Sequence, residues 1–205
     1  AAGAATIPGL SDFTVNPDGS ITFVFDSVKK DYVNADGLSF TGGGLSFDAT
    51  GTNAGKAAPV IQDYPPHGGL GVDKGVDGDN LGVGEILKLT FNKTVDILGF
   101  TVNDGHKDAA TGILTGYTEK GGGSAFASDW DGVLGNGEDA ANGALCGASS
   151  DFCGVTMFSL GSKSFTGYLE SITVSVPSAV PLPAGSLLLI SGMGGLAALR
   201  RRRKA

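Results

Sequence analysis

The chain has 205 residues, 35 of them glycine and 11 phenylalanine, and a formal net charge of −7 at neutral pH. Removing the five cations at 200–204 leaves −12 on residues 1–199, a sign that repels nucleic-acid phosphates and tolerates divalent cations. Length and composition suit one domain with a real core, and abundant glycine with few helical periodicities favours short strands joined by turns. No Gly-x-Ser-x-Gly elbow, zincin helix or phosphate-binding loop occurs, so no catalytic motif is readable.

Small residues open the chain at Ala1-Ala2-Gly3-Ala4-Ala5, of the kind found around signal-peptidase cleavage sites, and the expectation is export; a flexible terminus would read the same. The turn residues Asn16-Pro17-Asp18-Gly19 precede a predicted strand at 20–25 that sets Ile21, Phe23 and Phe25 on one face. Leu38-Ser39-Phe40 and Leu45-Ser46-Phe47 alternate around Gly42-Gly43-Gly44 and read as a hairpin. Leu87, Leu89 and Phe91 alternate with Lys88, Thr90 and Asn92, the clearest half-buried strand, and 95–102 is expected to pair back on it across Asn92-Lys93-Thr94. Further strands are expected near 111–118, 154–160 and 163–169, and a clear last one at 171–176. A total of about nine to eleven such strands points to a two-sheet antiparallel β-sandwich, jelly-roll-like, over residues 1–177. The absence of a fixed repeat argues against a β-helix.

Two loops break the alternation. In 73–80, Asp73, Asp77, Asp79 and Asn80 lie on a glycine-kinked loop leading to Glu85, and these oxygens would supply much of a Ca²⁺ shell. The spacing does not complete an EF-hand loop, and Asp, Asn and Gly also simply make turns. In 121–150, Asp129, Trp130 and Asp131 surround the sole tryptophan with acids, a grouping that would stack on a sugar ring and hold its hydroxyls. The same tryptophan also reads as a core plug beneath a long loop. Carboxylates across 129–139 offer an enzyme alternative, a polysaccharide hydrolase, whose required separation the sequence does not fix. His67 and His106 fall in turns and read as solvated loop residues. Cys146 and Cys153 in an exported chain are expected to form a disulfide, since a metal site would need further ligands nearby.

The tail carries the most specific signal. Val180-Pro181-Leu182-Pro183-Ala184 leads into an uncharged run at 182–199 that would cover about 27 Å as a helix, close to the thickness of a bilayer core. Pro183 suits the first turn of that transmembrane helix, and Arg200, Arg201, Arg202, Arg203 and Lys204 mark the cytoplasmic end, so residues 1–180 face outward. The alternative is a buried C-terminal helix of a soluble protein. Motif, span and basic block over 178–205 resemble the VPLPA variant of the PEP-CTERM sorting signals of Gram-negative bacteria. The resemblance implies an exported protein, held in the membrane by a temporary anchor and processed by an exosortase, a membrane-embedded cysteine transpeptidase that cuts near the motif. Exported sandwich domains with such tails are also similar to this chain in Gly69-Leu70-Gly71-Val72, an acidic loop and the strand led by Glu85-Ile86-Leu87.

The combined expectation is an exported domain at 1–177 and a sorting signal at 178–205, working at the cell surface or in the extracellular matrix by binding rather than catalysis. Its expected partners are the exosortase-type enzyme, the membrane and exopolysaccharide, the last with Ca²⁺ at the 73–85 loop, and no nucleic acid. A self-associating structural protein without a specific ligand is the remaining reading.

Overall fold

The computed structural model describes residues 7–9, 11–25, 32–63, 68–73, 80–103, 112–128, 138–141, 145–148, 150–162 and 166–177. The sorting motif, the expected span and the basic block lie outside these residues, as do Asp77, Asp79 and Asp129, Trp130 and Asp131. Among the described residues no helix is long and apolar enough to cross a membrane.

The structure is all-β. The first strands are β1 (Ile7–Pro8), β2 (Asp12–Val15), β3 (Ile21–Val24), β4 (Tyr32–Asn34), β5 (Leu38–Gly42), β6 (Leu45–Asn53), β7 (Lys56–Ala58) and β8 (Val60–Asp63). They are followed by β9 (Gly69–Val72), β10 (Glu85–Asn103), β11 (Gly112–Thr118), β12 (Gly121–Ser128) and β13 (Glu138–Ala141). A one-turn helix α1 (Leu145–Ala148) and a 3₁₀ turn at Ser150–Phe152 precede β14 (Val155–Ser162) and β15 (Tyr168–Ser175).

Turn chemistry fixes the early hairpins. Gly43 and Gly44 have φ of 59° and 79°, left-handed values that a side chain would resist, and they join β5 to β6 with Phe40 opposite Phe47. Between β2 and β3, Gly19 takes φ 84° and Asp18 Oδ1 accepts the Ser20 amide at 2.9 Å, closing the expected turn. Ile21, Phe23 and Phe25 are all buried, as the alternation requires.

The long strand β10 organises the rest. Its first part pairs with β6 on one side, from Glu85–Asn53 to Phe91–Phe47, and with β14 on the other, from Ile86–Gly161 to Val95–Val155. Its second part pairs with β15 along Asp96 to Asn103 and with β13 along Phe100 to Asn103. One set of strands (β1, β5, β6, β7, β11, β12, β14) thus joins the first half of β10, and another (β2, β3, β4, β8, β9, β13, β15) joins the second.

This continuity corrects the hairpin expected at Asn92-Lys93-Thr94. The strand runs unbroken from Glu85 to Asn103, with a register shift against β14 between Thr90 and Val95, and 96–103 pairs with β15 and β13 rather than back on 87–91. Asn92 Oδ1 accepts the Ser46 amide at 3.0 Å and Lys93 Nζ donates to the Gly44 carbonyl at 2.8 Å, which tether this irregular stretch to β6 and its hairpin as the strand passes the end of the β6 ladder. The pairings are antiparallel except β1 with β5, which is parallel. The two strands expected at 163–169 and 171–176 become the single β15, with 163–165 outside the described residues.

Aromatic rings join the two sets of strands. Phe47 on β6 lies 5.0 Å from Phe23 on β3 in a T-shaped pair, 5.2 Å from Phe40 and 5.3 Å from Phe91. At the other end Phe100 on β10 lies 5.7 Å from Phe158 on β14. Burial of these rings is the main stabilising term, and the edge and offset geometries add to it.

Candidate functional site

The 73–85 region begins where β9, buried at all four positions, leads into the half-buried Asp73, whose amide donates to the Pro59 carbonyl at 2.9 Å. After the residues outside the description, Leu81 is fully buried and its amide donates to the Gly167 carbonyl at 2.6 Å. Asn80, beside it, carries a buried side-chain oxygen that has no hydrogen-bond partner among the described residues. A buried acceptor left without a donor is destabilising unless a donor or cation meets it.

Glu85 is only 1% exposed, far more buried than a carboxylate that waits for solvent cations. Its Oε2 accepts the Gly82 amide at 2.5 Å and its Oε1 accepts Asn53 Nδ2 at 3.2 Å, while its own amide donates to the Gly82 carbonyl at 3.0 Å. Gly84, with φ 83°, permits this tight approach and accepts the Ala54 amide at 3.1 Å. The acid therefore closes the turn into β10 and clamps it to the β6–β7 hairpin. Sequence spacing brought Glu85 into the candidate metal set; its neighbours bind it inward, and Asp73 and Asn80 are the other members of that set among the described residues.

The cysteines meet as expected. Cys146 on α1 and Cys153 after the 3₁₀ turn are joined, with Cα atoms 4.7 Å apart. Asp96 on β10 lies with its carboxylate within 4.8 Å of both sulfurs and accepts the Gly154 amide at 2.7 Å through Oδ1. The bridge consumes both thiolates, so this cluster works as a staple and offers neither a nucleophile nor a metal ligand while it is closed.

The turn between β11 and β12 fastens onto the same loop. Lys120 Nζ donates to the Cys153 carbonyl, and the Glu119 carboxylate accepts the Thr156 amide, the Thr156 hydroxyl at 3.0 Å and the Met157 amide at 3.1 Å. Partial burial alone would raise the Glu119 carboxyl, but these hydrogen bonds outweigh it and hold the group below its ordinary 4.5. Phe152, 1% exposed, plugs the loop against Phe158 at 6.2 Å.

Of the carboxylates weighed for hydrolysis, Glu138 and Asp139 stand on β13 opposite Asn103 and Val102, and the rest lie outside the described residues. A feature that sequence reading did not single out is an open groove of about 220 Å³ lined by Ser46, Phe47, Asp48, Thr90, Phe91 and Asn92. Asp48 there accepts the Ser39 hydroxyl at 2.6 Å. Its only sequence signal was the polar half of each alternation, which reads as ordinary solvent-facing surface. No protein-family model, curated protein or solved structure matches the chain.

Proposed function

We propose that this chain is an exported cell-surface or extracellular-matrix protein that associates with exopolysaccharide and has a binding rather than catalytic role. Its body is read as a two-sheet, jelly-roll-like sandwich, and its tail as a transmembrane sorting signal processed by an exosortase-type enzyme. The observation that supports the export part of this reading is the closed Cys146–Cys153 bridge, because disulfides form and persist in oxidising compartments and are rare where glutathione keeps thiols reduced. The bridge agrees with the outward orientation that the basic block at 200–204 implies.

Calcium is proposed at the 73–85 loop on the support of the buried Asn80 oxygen, which has no hydrogen-bond partner among the described residues, with Asp73, Asp77 and Asp79 as the carboxylates adjacent in sequence. Glu85 serves this site by fixing the loop's exit. The test of export is alkylation of the denatured, unreduced protein taken fresh from its native host: no thiol reacts if the reading holds, and two labelled cysteines reject it. A panel of soluble polysaccharides, screened with and without chelator, tests the ligand and its dependence on calcium.

A further inference from the structure

We infer that the open edge of β2 pairs with β2 of a second copy of this chain. Among the described residues β2 pairs with β3 alone, and all four of its residues are exposed. The hairpin sets which backbone groups are free. The Asn16 amide donates to the Ser20 carbonyl at 2.8 Å, so the alternation of an antiparallel ladder turns the amides and carbonyls of Asp12 and Thr14 toward β3. Those of Phe13 and Val15 then point away from it, to the open edge.

The same two residues expose apolar side chains. Phe13 is 47% exposed and Val15 56%, on the face that looks toward the core: the Phe13 ring lies 6.3 Å from that of Phe23 and covers Gly42, where an added Cβ would come within 2.6 Å of it. Edge strands are normally blunted by lysine, proline, a bulge, a charge or brevity; Asp-Phe-Thr-Val is four residues long with one acid at its end, and its Phe-Thr-Val stretch carries no lysine, proline or bulge. Unpaired backbone groups and exposed apolar side chains thus coincide on one edge.

The edge is self-complementary. A two-fold, antiparallel pairing centred on Phe13 sets Phe13 against Phe13 of the second copy and Asp12 against Thr14, so an aromatic pair forms and no like charges oppose directly. The −12 of residues 1–199 repels at long range, and salt screens that repulsion beyond about 8–10 Å near physiological ionic strength. Association of two copies therefore strengthens with salt, whereas a partner drawn by opposite charge would weaken. This inference stands on the edge alone and does not depend on the sorting tail or on calcium.

The test is sedimentation equilibrium of the full chain in density-matched detergent, over a hundredfold range of concentration and at low and moderate salt. The wild type is expected to approach twice its monomer mass, and more readily in salt. Val15→Pro, which removes an outward amide that β3 does not use, is expected to weaken association at least tenfold with the melting temperature kept, and Phe13→Lys to weaken it as much with some loss of stability from the Phe23 contact. If one variant fails to fold, Val15→Lys replaces it. A wild type that stays monomeric throughout, with the edge occupied by other parts of the chain or by another partner, overturns the inference, and so do folded variants that associate as the wild type does.

Discussion

Replacing Cys146 and Cys153 together by serine removes the bridge and leaves the aromatic core intact, which isolates what the staple contributes. The two residues are seven apart in sequence, so the bridge closes a loop of about eight residues, and the chain-entropy relation for such a loop gives about 2.5 kcal/mol of stabilisation at 25 °C. The loop is not held by sulfur alone, because Asp96 binds the Gly154 amide and Lys120 binds the Cys153 carbonyl. Those contacts keep the loop near its place in the native state, so the loss falls mainly on the freedom restored to the unfolded chain. With a urea slope of roughly 1–3 kcal/mol/M, the unfolding midpoint should fall by about 0.8–2.5 M with little change in slope. Reduction of the wild type should reproduce the shift. A double variant whose midpoint moves by less than about 0.3 M, or a wild type indifferent to reductant, would refute the reasoning.

Phe47→Ala removes the ring that touches Phe23, Phe40 and Phe91 and should cost about 3–5 kcal/mol, with Phe47→Leu well below that; equal and small losses in urea melts would show that the strands do not close over this ring. Glu119 has its carboxyl held below the ordinary value by Thr156 and Met157, so its contribution is fully present above about pH 4.5 and is lost as pH falls through the depressed value. Urea midpoints of wild type and Glu119→Gln should therefore differ at neutral pH and converge on acidification; a gap that widens in acid contradicts the assignment. Calcium at about a hundred times its Kd should add roughly 2.7 kcal/mol and raise the melting temperature, and Asn80→Ala should reduce that increment. Identical melting curves in millimolar calcium and in chelator would leave the 73–85 loop as a turn.

Much of this architecture was readable because it follows local rules. Leu87, Leu89 and Phe91 are buried and Lys88, Thr90 and Asn92 exposed, as period-two alternation dictates, and Gly43-Gly44 makes its turn through positive φ. The extension of β10 was not readable, because Asn92 looks like a turn residue until its side chain meets the Ser46 amide, 46 residues away. Glu85 shows the same limit at the candidate site. Its acid and its position before a strand were evident, but its burial depends on Gly82 and on Asn53 from another hairpin. The cysteine pair was legible by count and context, whereas Asp96 reached the bridge through a fold contact 58 residues long.

The central claim is that this chain leaves the cytoplasm and is processed through its C-terminal signal. Intact-mass spectrometry of the protein recovered from the native host's medium tests it most directly. The account predicts a species that lacks Arg200 to Lys204 and ends near the Val180 to Ala184 motif, with Cys146 and Cys153 joined. A secreted form that keeps its arginine block would contradict it.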